Sequence, residues 1–78
     1  MMSHITVEEI RSAKNAAGKD MAYVAVTLES WDGHIKFEVG VPNASTTDDV
    51  LEDVRQRLIC LFRNAADELE ARPLFLRQ

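Results

Sequence analysis

The chain has 78 residues, which bounds it to one domain with a small core. A formal net charge of −4 argues against a phosphate-binding surface, because nucleic-acid affinity rests on clustered Lys and Arg. Cys60 is the only cysteine, so no internal disulfide can form, and His4 and His34 make no close ligand pair with it. No metal and no cofactor are expected. Charged residues at 28% and hydrophobic ones at 46% suit a folded globule rather than a disordered chain.

A core of this size typically supplies about 3–5 kcal/mol, so a partner chain is the expected staple. Met1-Met2-Ser3-His4 carries no basic stretch followed by an apolar run, and the longest apolar run is Leu58-Ile59-Cys60-Leu61-Phe62. Neither is a signal peptide or a bilayer span, so a cytoplasmic protein with no membrane partner is expected.

Residues 1–20 read as a helix or a strand. Thr6-Val7-Glu8-Glu9 has the form of a capping box, and Ile5 and Ile10 have the spacing of a hydrophobic staple. Ala13, Ala16 and Ala17 favour a helix, and Gly18 suits its C-terminal stop. The rival is a strand over residues 4–12 turning at Ala17-Gly18. Its apolar alternation breaks after Val7, and so the helix is preferred.

Residues 21–41 read as a β-hairpin. Ala22, Val24, Val26 and Leu28 alternate with Tyr23, Ala25, Thr27 and Glu29. Beyond Asp32-Gly33, residues Ile35, Phe37, Val39 and Val41 alternate with Lys36, Glu38 and Gly40. Asp-Gly between alternating runs predicts a two-residue turn with positive φ at both residues. That loop would set Leu28 against Phe37, Val26 against Val39, Val24 against Val41 and Glu29 against Lys36.

Residues 46–72 read as one long amphipathic helix. Thr46 or Thr47 can cap it, and Asp48, Asp49, Glu52 and Asp53 complement the positive end of its dipole. Val50, Leu51, Val54, Leu58, Leu61, Phe62, Ala65 and Leu69 form a helical stripe, and Pro73 stops it. Residues 73–78 form an apolar tail. The expected fold is α+β: an antiparallel hairpin, three-stranded if residues 4–12 join it, packed on a long C-terminal helix, with a short N-terminal helix.

No nucleophile, base and orienting group can be assembled, so no catalytic residue is assigned and an enzyme is not expected. Asp32 and His34 are explained by the turn, and Cys60 lies among carboxylates that would not activate a thiol. Tyr23, Trp31 and His34 share the side of the hairpin away from the aliphatic residues and form the candidate partner surface. Ile59, Phe62, Ala66, Leu74 and Phe75 form the candidate dimer interface, because the apolar run at mid-helix points around the whole circumference.

Tyr23-Val24-Ala25-Val26, Trp31-Asp32-Gly33-His34 and the acidic-start helix from Thr47 resemble HicB-type antitoxins over about half of the chain. That resemblance implies an inhibitor that binds a small toxin. The Pro-Asp-Leu-Pro-Gly-like segment of those domains is replaced here by Val41-Pro42-Asn43. Asn15 to Val39 also resembles a strand–turn–strand piece of OB-fold modules, without the further strands. Membership of neither family is assigned. The reading is a non-catalytic protein-binding or regulatory module acting as a homodimer. The alternative is a nucleic-acid-binding accessory protein, for which Lys14, Lys19, Arg55 and Arg63 would have to converge.

Overall fold

The computed structural model describes residues 3–77. Strands β1 (His4–Lys14), β2 (Asp20–Ser30) and β3 (Gly33–Pro42) are followed by helix α1 (Thr47–Ala71). The strands form one antiparallel sheet in the order β1-β2-β3.

The N-terminal helix is not formed; residues 4–14 are a strand. The apparent break in alternation after Val7 is a β-bulge. Val7 pairs with Val26 and Glu9 with Ala25, which leaves Glu8 as the extra residue. The bulge restores the two-residue period: Ile5, Val7 and Ile10 face the same side as their partners Leu28, Val26 and Val24. Thr6 and Glu9, which spell a capping box, are ordinary strand residues. Tertiary pairing overrides the local helix signal because β1 pairs with β2 along its length and adds Ile5, Val7 and Ile10 to the apolar face of the sheet, while its outer backbone groups are left to water.

The β1–β2 connection is built around Asn15. Its Oδ1 accepts from the amides of Ala17 (2.9 Å) and Lys19 (3.0 Å). Gly18 has φ of 79°, a conformation that glycine adopts without Cβ strain. Its role is therefore in a hairpin loop, not at the end of a helix.

The β2–β3 hairpin forms in a register two residues from the one that Asp-Gly implies. Ser30 pairs with Gly33, so Trp31-Asp32 is the loop. Val26 opposes Phe37, Val24 opposes Val39, Ala22 opposes Val41, Leu28 opposes Ile35, and Glu29 opposes His34 rather than Lys36. Among the described residues only Gly18 takes the left-handed conformation, so the positive-φ turn expected of Asp-Gly does not occur. The Ser30 hydroxyl hydrogen-bonds Asp32 Oδ1 across the loop. A two-residue shift leaves every side chain on its original face, so the hydrophobic pattern cannot choose between the registers.

Helix α1 begins where the cap residues direct it. Thr46 is extended, and its Oγ1 accepts from the Asp49 amide at 3.1 Å. The Arg72 amide donates to the Glu68 carbonyl at the other end, at 3.1 Å. Val50, Val54 and Leu58 pack on Ala22, Val24, Val26 and Val41 to form the buried core, with Phe37, Val39 and Phe62 at its margin. Phe62 meets Phe37 edge-on, with ring centroids 5.9 Å apart.

From Arg63 onward every described helix residue is exposed. Ile35, on the same face of the sheet near the hairpin tip, is exposed too. The strands, at 10 to 11 residues, are nearly as long as the helix. The overhang therefore arises because the helix leaves the sheet after Phe62, not because the strands are short.

Candidate functional site

The helix side of the sheet is only half covered. α1 packs against the β3 side, and the β1 margin stays open. Between β1 and α1 runs a groove of about 540 Å³, lined by Ile5, Val7, Leu51, Val54, Arg55, Leu58, Ile59 and Phe62. Its apolar walls follow from two periods. Ile5 and Val7 are two apart on a strand, and Leu51, Arg55, Leu58, Ile59 and Phe62 fall three or four apart on a helix.

Among the described residues Arg55 is the only charged one along the groove, and Glu52 Oε1 holds its guanidinium at 3.2 Å. Ile5 remains 53% exposed and Val7 41%, large values for residues that face a helix. Ile10 is 39% exposed, farther along the same edge. Such a surface can bury apolar side chains and offers no acid, base or nucleophile.

Two of the expected interface residues, Ile59 and Phe62, line this groove, half-buried. Ala66 lies exposed on the overhanging part of α1. Leu74 and Phe75 lie beyond Pro73, where they border a recess with Glu68, Leu69 and Arg72. Leu74, Phe75 and Leu76 are 85–87% exposed. The structure thus brings Ile59 and Phe62 together and leaves the tail apart from them. Ile5 and Val7, which complete the groove, escaped the sequence reading because the bulge hid the strand that carries them.

The other face of the sheet holds Tyr23 and His34, but at opposite ends. Trp31 is at the loop and 74% exposed. With His34, Glu29 and Lys36 it borders a shallow polar recess. Tyr23 is committed elsewhere. The Arg11 guanidinium carbon stands 5.0 Å from its ring centroid, and Arg11 Nη2 reaches Glu38 Oε1 at 3.4 Å. The ring lies against Gly40, where a Cβ would come within 3.0 Å of Tyr23 Cε1. Arg11, Tyr23 and Glu38 therefore tie the three strands together on this face. Six residue steps along the strand lead from Tyr23 to Glu29, the partner of His34, a distance of about 20 Å.

Cys60 is a free, exposed thiol. It borders a second recess, on the β3 side of the helix, with Glu38, Val39, Gly40, Asp53, Arg57 and Leu61. Among the described residues no group of three or more His, Cys, Asp or Glu side chains is placed to hold a metal ion. No helix among them is long and apolar enough to cross a membrane.

No family model, curated protein or solved structure matches this chain.

Proposed function

We propose that this chain is a non-catalytic, cytoplasmic protein-binding module that acts as a homodimer through the β1/α1 groove. The carrying observation is the groove itself. Ile5, Val7 and Ile10 face the helix side of the sheet yet stay exposed, while Val24 and Val26, their neighbours on β2, are fully buried. Each large apolar side chain left in water forgoes about 1.5–3 kcal/mol of burial. In a domain of this size that deficit is comparable to the whole stability margin. A second copy is the simplest cover, since most homo-oligomers are two-fold dimers.

The charge distribution favours a protein partner over nucleic acid. Arg11, Lys14, Arg55, Arg57 and Arg72 each stand within 4 Å of a carboxylate. Lys14 and Lys19 flank the β1–β2 loop, whereas Arg63 lies on the helix beyond Phe62, toward the other end of the sheet.

The test is light scattering coupled to size exclusion at high micromolar concentration. The expected mass is twice the chain's 8.8 kDa. Val7→Glu is expected to give a folded monomer, with an unchanged far-UV circular dichroism spectrum. A wild-type mass of a single chain at that concentration overturns the reading.

A further inference from the structure

The molecule exposes a second apolar element besides the groove: the tail Leu74-Phe75-Leu76. We infer that, in the dimer, the tail of each protomer seats in the β1/α1 groove of the other. This inference rests on the homodimer reading above and names the occupant of its groove.

Reach within one chain excludes the tail's own groove as its main seat. The helix ends at Ala71, and Ile59 lies about 18 Å back along its axis and Leu51 about 30 Å back. Leu74 can extend only about 10 Å from Ala71, and Phe75 about 14 Å. Folded straight back, Phe75 reaches the level of Phe62, and Leu76, about 17 Å from Ala71, nears that of Ile59. The groove from Ile59 to Leu51, with Val7 opposite, extends about 12 Å beyond the end of that reach.

A second copy removes that limit. Two protomers related by a two-fold axis, with their overhangs (residues 63–71) side by side and antiparallel, point each tail along the partner's helix from Phe62 toward Leu51. The overhang then has a use. Residues 63–71 extend about 13 Å past Phe62 and carry the tail toward the partner's Leu51 and Ile59. The dimensions agree: the groove spans about 16 Å from Leu51 to Phe62, and an extended segment of four or five residues spans about the same. The chemistry agrees as well. The tail is uncharged from Pro73 to Leu76, and the groove's single charge, on Arg55, is already matched by Glu52. The exchange is reciprocal, so it closes at two copies.

Two measurements on the full chain test this. The first replaces Leu74, Phe75 and Leu76 together by Glu. These residues touch no core residue, so the variant is expected to keep the wild-type circular dichroism spectrum and fall to the mass of one chain. The second uses two proteins in a Cys60→Ser background, one with Val7→Cys and one with Phe75→Cys. After mixing and mild oxidation, the Val7→Cys/Phe75→Cys heterodimer is expected to exceed either disulfide-linked homodimer at least tenfold. A dimeric wild type whose tail variant is also dimeric, with no heterodimer excess, overturns the tail exchange and leaves the homodimer standing. A monomeric wild type overturns both.

Discussion

The two flanks of the sheet's helix side carry the same kinds of residue and meet opposite fates. On the β2/β3 flank, Val24, Val26 and Val41 are 0–1% exposed beneath Val50, Val54 and Leu58. On the β1 flank, Ile5 and Val7 are 53% and 41% exposed beside Leu51 and Ile59 of the same helix. One helix has a buried stripe about as wide as two strands, and this sheet has three. Apolar patterning therefore marks which side chains seek cover, while the number of layers available decides which of them obtain it within one chain.

The largest expected effect comes from cutting into the closed flank. Leu58→Ala should destabilise the fold by about 2–4 kcal/mol, because it leaves a cavity in the buried cluster that Leu58 shares with Val24, Val26 and Val54. Ile5→Ala, on the open flank, should cost less than about 1 kcal/mol in monomeric protein. Urea unfolding at low micromolar concentration checks the pair. Equal losses would erase the distinction between the flanks. Raising the concentration should sharpen the comparison: in a dimer, the cost of Ile5→Ala should grow.

Removal of the helix cap is expected to act on both flanks alike, since each depends on the position of α1. Thr46→Ala deletes the acceptor for the Asp49 amide and should lower stability by about 1 kcal/mol in the same assay.

A change of similar size but opposite sign is expected on the far face. Thr27 is 2% exposed, and its Oγ1 has no hydrogen-bond partner. Thr27→Val removes an unsatisfied buried hydroxyl and should raise stability by about 1 kcal/mol. A loss of stability on that substitution would mean that the hydroxyl finds a partner, and this could be sought as a bound water.

The smallest effect concerns the hairpin tip, which belongs to neither flank. Trp31→Ala should change stability by less than about 0.5 kcal/mol, because the indole is mostly in solvent. Its native fluorescence should be quenched readily by acrylamide. A blue-shifted emission resistant to quencher would place Trp31 against another surface, in a dimer or a partner complex.

Much of the candidate site was legible as parts rather than as a site. Ile59 and Phe62 stood out from the helical period, and Leu74 and Phe75 from their place after Pro73. Ile5 reads, with Ile10, as the staple of a helix that does not form, and Val7 as part of its capping box. A bulge adds one residue and reverses the apparent phase of a strand, so a period count across Glu8 reads as a failed alternation. Tyr23 stood out as a potential hot spot, but Arg11 and Gly40 occupy its two sides, and only strand neighbours distant in sequence reveal that.

The sequence by itself determined the α+β class, the β2 and β3 strands, the faces of their side chains and the span of the helix from a cap at Thr46 or Thr47 to its stop before Pro73. These follow from periodicities of two and of 3.6 residues and from capping chemistry, all of which act over a few neighbours. The tertiary structure alone decided the state of residues 4–14, the hairpin register and the side of the sheet on which α1 lies. Each is a choice between arrangements that satisfy the local rules equally: helix or bulged strand, Asp32-Gly33 or Trp31-Asp32 at the loop, β1 or β3 beneath the helix. Contacts between residues far apart in the chain break those ties, and the groove beside β1 is where they leave apolar surface open.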